Sequence, residues 1–421
     1  MKIVTFYSYK GGVGRSMCLA NVGVQLAQWG HKVLLVDWDI EAPGLERYFV
    51  SENFKDQSKT DKKFGIDLKI VKKTPGLIDL LSKPRSAKWQ KALIPVAVPD
   101  APEPLYLITA GRRDESYFQR VRDFNVDKFY AEHDGGNYIE ELREEWSKQY
   151  DFVLIDSRTG ITEINGICTI QMPDLVVLLF TATNQGFEGT VDIAHRADKA
   201  QQKLPYNRFK LLFLPILTRV ESSEFELTRG WIKHFAERLR DIYKYWLPSY
   251  INREQFMELT KIPHFPFFSF GEELAVVKQG TSDPSGMGYA YANIASLIAN
   301  HMEKAEEFFE KREIYVGGVP QKTINLTEVV KTHIGNQEIA QALDILEDYF
   351  KTNNLRKDLN NVIILKGRHK RLLEDYYTSR IARDEFYIAQ DRVMLEILNT
   401  VDTLDNTWLN MSRSLEKAFR Q

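Results

Sequence analysis

Lys10-Gly11-Gly12-Val13-Gly14-Arg15-Ser16 lies between an apolar run, residues 2–8, and a helical stretch, residues 16–29, that stops at Gly30. Residues 32–37 (Lys-Val-Leu-Leu-Val-Asp) then form a second apolar run. Strand, glycine loop, helix and strand make a βαβ unit, which commits this part of the chain to a parallel sheet. Further strand-like runs follow at Leu105–Thr109, Phe152–Asp156, Leu175–Phe180, Lys210–Leu217 and Ile262–Phe267. Helical stretches, Tyr138–Gln149 and Phe225–Tyr243 among them, separate several of these runs. The alternation predicts a wound, mostly parallel α/β sheet.

The loop itself predicts phosphate binding. Glycines let successive backbone N–H groups converge on phosphate oxygens without Cβ interference, and the helix N-terminus behind them adds its dipole. The contacting set runs Gly11, Gly12, Val13, Gly14, Arg15, Ser16 and Met17, with the Ser16 hydroxyl placed to ligate Mg²⁺. The strict Walker pattern fails twice, because Tyr9 stands at its first glycine and Arg15 at its lysine. Arginine keeps the charge but is planar and forked, so it is no simple replacement for a point-charge donor.

With Lys10 in front of the glycines, the loop resembles the deviant Walker A family of MinD, ParA and their relatives. The resemblance implies ATP as the nucleotide, with Mg²⁺, and an ATP-sandwiched homodimer in which Lys10 reaches the partner's phosphates. It also implies slow ATP hydrolysis, with Lys10, Asp39 and Arg15 as the catalytic set. The form ending Gly-Arg-Ser looks like a distinct branch. Val33-Leu34-Leu35-Val36-Asp37-Trp38-Asp39 matches a second family motif. By that match Asp39 positions the attacking water, and Asp37 is a second-shell Mg²⁺ or structural partner. The apolar strand ending at Asp156 suits the Walker B carboxylate that holds Mg²⁺ through water. The segment Ser157-Arg158-Thr159-Gly160 resembles the γ-phosphate switch, with Arg158 either a cation near the phosphates or a salt-bridge partner.

Base recognition is expected near Arg219, where relatives carry an asparagine, and at Pro263, on a strand whose backbone contacts the base in relatives. His264 reads as a packing residue. No Asn-Lys-x-Asp guanine motif occurs. A bacterial tyrosine kinase shares such a loop but usually carries a terminal tyrosine cluster, which is missing here.

Composition narrows the partners. Lys and Arg total 56 against 58 for Asp and Glu in 421 residues, so overall charge gives no reason to expect nucleic acid. The two cysteines, Cys18 and Cys168, exclude a disulfide scaffold and a Cys₄ zinc site and fit a reducing compartment. The N-terminal apolar run is too short for a signal peptide, and no stretch is apolar enough to span a bilayer. A cytoplasmic protein is expected.

Three parts are expected along the chain: a nucleotide-binding domain over 1–305, a linker over 306–335, and a small all-α domain over 336–421. Residues 51–64 are polar and suit a surface insertion, and Ala290–Lys311 suits a closing helix. In the tail, Ile339, Leu343, Leu346 and Phe350 follow helical spacing, as do Phe386, Val393, Ile397 and Val401. The run Asp358–Tyr377 and its continuation to Leu398 resemble an effector-associated domain, a helical adaptor of bacterial conflict systems. That implies recruitment of an effector bearing a matching domain. Leu365, Leu372, Leu395 and Leu398 are expected in its core, while Arg368, Arg371 and Asp375 form either a partner-facing patch or a solvated face. The stripe from Trp408 to Phe419 suits packing on another helix better than membrane binding, since Glu416 interrupts its positive face. The leading expectation is an ATP-dependent dimeric switch in a prokaryotic defence system. The alternatives are a weakly hydrolysing nucleotide-binding scaffold and a positioning ATPase acting on DNA or membrane.

Overall fold

A computed structural model describes residues 2–57, 63–160, 166–206, 208–221, 223–317, 326–335, 338–352, 356–378 and 380–418. The chain divides into two units, Met1–Gln321 and Lys322–Gln421.

The first unit is built on a seven-stranded sheet. Its strands are β1 (Ile3–Tyr7), β2 (Val33–Asp37), β3 (Ile94–Val96), β4 (Leu105–Ile108), β5 (Phe152–Asp156), β6 (Leu175–Phe180) and β7 (Leu212–Leu217). They run in the order β3-β4-β2-β5-β1-β6-β7. All neighbours are parallel except β3 and β4. The central strands β1, β2 and β5 are buried at every position, as continuous apolar runs in a parallel sheet must be when helices cover both faces. The strand period sorts their side chains into two layers. Val4, Phe6, Leu35 and Leu154 enter one core, and Ile3, Leu34, Val36, Val153 and Ile155 the other. The first helix, α1 (Arg15–Gln28), packs on the sheet and against the helix Met287–Ala299.

Several expectations need correction. Ile262–Phe267 is no strand: it keeps one isolated bridge between Val220 and Pro263, then turns into a 3₁₀ helix over Pro266–Ser269. Pro263 and Pro266 lack the N–H groups a ladder needs. The long closing helix breaks in two, Met287–Ala299 and Ala305–Glu310, through left-handed residues His301, Met302 and Lys304. Phe225–Tyr243 likewise divides, into Phe225–Arg238 and Arg240–Tyr243. The short edge strand β3 carries Pro95 and lacks a clear alternating signal, which hid it.

In the stretch expected as a linker, Phe308 and Tyr315 are buried in the first unit's core. The second unit contains helices Leu326–Gly335, Ile339–Thr352, Arg356–Tyr377 and Arg383–Ala418. Leu343, Leu346, Phe350, Val362, Leu365, Ile397 and Val401 close its separate core. Leu398 packs on that core, whereas Leu395, expected inside, is 58% exposed. Val393 and Ile397 define the inward stripe, and Leu395, midway between them, falls on the opposite face of the helix. Arg368 pairs with Glu396 at 3.1 Å and Asp375 with Arg380 at 3.5 Å, both on the solvated surface. Side chains of the stripe from Trp408 to Phe419, and residues 58–62 of the polar insertion, lie outside the described residues.

Candidate functional site

The C-terminal ends of β1, β2 and β5 meet at one edge of the sheet, where Asp37 and Phe6 are both register partners of Asp156. Ligands of open α/β sheets bind outside such strand ends. From β1 the chain enters the glycine loop. Gly12 and Gly14 sit at φ +75° and +87°, left-handed positions where any Cβ is strained. The α1 helix starts at Arg15, so its first amides face the loop mouth. A cleft of about 590 Å³ opens there, walled by the loop, Asp39 and Tyr48 on one side and by Arg219, Pro263 and Phe270 on the other.

Two carboxylates and one guanidinium meet beneath the loop. The Arg15 Nε donates to Asp156 Oδ1 at 2.5 Å and its Nη2 to Asp39 Oδ2 at 3.0 Å. Ser16 Oγ donates to the other oxygen of Asp156 at 2.5 Å. Arg15 is only 7% exposed. Burial works against its charge, but Asp156 and Asp39 outweigh that and raise its pKa. Burial pushes Asp156 upward, with Arg15 and Ser16 pulling the other way. Two buried polar atoms at this mouth lack partners, Arg15 Nη1 and Ser8 Oγ. Both atoms are covered by protein, and both belong to residues that line the cleft.

Asp37 is placed differently. Its carboxylate accepts from the amides of Asp39 (3.1 Å), Gly44 (3.2 Å) and Leu45 (3.3 Å), so it caps the turn after β2. Burial, then the charges of Asp156 and Glu46, push its pKa well up.

The remaining expected residues lie around the same mouth. Lys10 Nζ donates to Gln185 Oε1 of its own chain at 2.5 Å. Arg219, itself left-handed at φ +56°, donates from Nη1 to the Gly12 carbonyl at 2.7 Å. Its Nη2 lies 3.5 Å from His264 Nε2. His264 bonds Glu221 through Nδ1 and Ser269 Oγ at 3.1 Å through Nε2, so it belongs to a polar network and not to apolar packing. Arg158 forms an ion pair with Glu41. Gly11, Val13, Gly14, Met17 and Pro263 line the cleft. Gln185 and Ser8 carried no sequence signal, because neither belongs to a spaced motif.

A family model described as the CobQ/CobB/MinD/ParA nucleotide binding domain matches residues 4–402. An uncharacterised ATP-binding protein of Methanocaldococcus jannaschii is 24% identical over 194 residues, 46% of this chain and 58% of the relative. The chain thus spans little more than half the length of that curated relative. Among solved structures, the septum site-determining protein MinD of Pyrococcus horikoshii, complexed with Mg-ADP, is 19% identical with a TM-score of 0.46, covering 74% of this chain and 99% of that one. The MinC:MinD cell division complex of Aquifex aeolicus is 18% identical with a TM-score of 0.44, covering 70% and 95%. The family match extends over more than half of the chain: this chain belongs to the CobQ/CobB/MinD/ParA nucleotide-binding family.

Proposed function

We propose that this chain is an ATP-driven dimeric switch that hydrolyses its nucleotide slowly. The observation that carries the reading is the convergence of Arg15, Ser16, Asp39 and Asp156 at a cleft that also holds the unpartnered Ser8 Oγ. Among the described residues no group of three or more His, Cys, Asp or Glu side chains forms a metal cage. Mg²⁺ needs only one or two protein ligands and completes its shell with phosphates and water. Ser16, with Asp156 through water, would hold it, and it would supply charge neutralisation at the phosphates.

The chain's own residues supply the rest. Backbone amides from Gly11 to Met17 orient the phosphates. Asp39 orients the attacking water, and its freedom to do so depends on Arg15. Asp37 keeps the β2 turn in shape, so that Asp39 faces the cleft. Lys10 exchanges Gln185 for the partner's phosphates. A charge-assisted bond is worth about 1.5–3 kcal/mol, against about 1 kcal/mol for an ordinary one, so the exchange favours the dimer.

Two outputs compete. The family by its own description includes MinD and ParA, which favours a positioning ATPase working on DNA or membrane over a defence switch. Effector recruitment rests on the sequence of the tail, and the exposed Ile363, Ile364, Ile388 and Leu395 of the second unit give a partner something apolar to hold. Light scattering with ATP and with ADP tests the switch. The wild type is expected to dimerise with ATP alone, and Asp39→Ala to remain dimeric for longer. An Asp39→Ala protein that binds ATP yet stays monomeric sinks the reading. ATP-dependent binding to DNA or anionic vesicles at physiological salt separates the two outputs.

A further inference from the structure

Arg15 occupies a place that its charge alone does not explain. A P-loop cation is expected to face the phosphates, yet two edges of this guanidinium are committed to carboxylates, at 2.5 Å to Asp156 and 3.0 Å to Asp39. Both oxygens of Asp156 are taken, one by Arg15 and one by Ser16. The two groups suited to hold Mg²⁺ are thereby bonded to each other and to a resident cation. Arginine stays protonated, and its fork can span two carboxylates at once, which a single ammonium nitrogen does less well. The remaining nitrogen, Nη1, is buried without a hydrogen-bond partner, in a residue that lines the cleft.

We infer that Arg15 is a positioning residue that gates the metal: it fills the gap between Asp39 and Asp156 and keeps a divalent cation out until a nucleotide brings one. Nη1 has no partner within the protein, so turning it out to a phosphate oxygen breaks no bond that Nη1 itself makes. As the guanidinium turns toward the phosphate, it frees both Asp156, which with Ser16 would hold the metal, and Asp39, which would orient the attacking water. Nucleotide and metal then enter together, and an empty protomer cannot be held in a metal-bound, half-assembled state. The gate rests on the ATP reading for its purpose, although its core claim concerns the nucleotide-free chain.

Electron paramagnetic resonance of Mn²⁺ on the nucleotide-free full-length protein tests it. Wild type is expected to leave Mn²⁺ free at millimolar concentration. Arg15→Gln exposes Asp39, Asp156 and Ser16 as an uncompensated site and is expected to bind Mn²⁺ at least about tenfold tighter, with Asp156→Asn in the same chain abolishing the gain. Should Arg15→Gln not fold, Arg15→Lys keeps the charge without the bridge, and a several-fold gain is expected. Tight Mn²⁺ binding by empty wild type overturns the gate, as does the lack of any gain in the folded variants. Failure of wild type to bind ATP, measured separately by fluorescence of a labelled analogue, would count against the switch and leave the Mn²⁺ result standing.

Discussion

Asp37 and Asp156 are register partners at the ends of adjacent strands, yet they hold opposite things. Asp37 accepts three backbone amides of its own turn, while Asp156 accepts a guanidinium and a hydroxyl from α1. Their substitutions should therefore separate stability from metal response. Asp37→Ala leaves buried amides unpaired, at about 1–3 kcal/mol each. It should lower the denaturation midpoint while changing the nucleotide affinity of the folded fraction little. Asp156→Ala leaves Arg15 buried with half its pairing, which costs about 3–5 kcal/mol, and should remove the effect of Mg²⁺ on nucleotide affinity. Chemical denaturation paired with titration of a fluorescent nucleotide, with and without Mg²⁺, reads both. A loss of the Mg²⁺ effect in Asp37→Ala equal to that in Asp156→Ala would make Asp37 part of the metal site after all.

The bond from Lys10 to Gln185 is neutral on one side and lies at the surface. Releasing it should help the dimer rather than harm it. Gln185→Ala is expected to tighten ATP-dependent dimerisation by up to about fivefold per site, the equivalent of about 1 kcal/mol. Lys10→Ala should keep nucleotide binding and lose the dimer. Analytical ultracentrifugation at several protein concentrations distinguishes these effects. Weaker association of Gln185→Ala would show that the glutamine positions the lysine instead of parking it.

Gly12 links the loop to the far wall, since its carbonyl accepts from Arg219 and its φ is +75°. A methyl group there would stand 4.0 Å from the Arg219 guanidinium, so space is available and conformation is the obstacle. Gly12→Ala is expected to cost about 1–2 kcal/mol in the loop alone, weakening nucleotide binding about tenfold. Arg219→Ala removes only the outer tether and should weaken binding less. Equal affinities for wild type and Gly12→Ala, with a lowered denaturation midpoint, would mean that the strain is carried equally by the free and the bound loop and falls on folding alone.

Much of this was readable from the chain, and what was not has a common cause. β1, β2 and β5 show as unbroken apolar runs because parallel strands are buried on both faces, and the loop shows because its glycines are close in sequence. Arg15 was legible as a departure from the lysine pattern. Its turn toward Asp156 was not, because that contact spans 141 residues. Gln185 is 175 residues from Lys10 and belongs to no motif. Arg219 was marked by position in a family pattern, but its grip on Gly12 depends on a left-handed backbone that no residue type announces. Ile262–Phe267 read as a strand on apolar content, with its two prolines given too little weight.

The second unit carries its own pH response. His369 is 7% exposed within the helix Arg356–Tyr377, with its Nδ1 unpartnered. Burial holds its pKa below the ordinary 6.5. The folded chain therefore prefers the neutral ring, and the unfolded chain binds the proton more readily. Stability from this group is fully present above the unfolded value and is lost as pH falls from there toward the depressed folded value. Amide hydrogen exchange in residues 356–377, expressed as protection factors to remove the intrinsic pH dependence, should fall on going from about pH 7.5 to about pH 5.5. His369→Leu keeps the apolar contacts without the titrating ring and should flatten that fall. A decline as steep in His369→Leu as in wild type would assign the acid sensitivity to other groups, and would leave His369 a plain core residue.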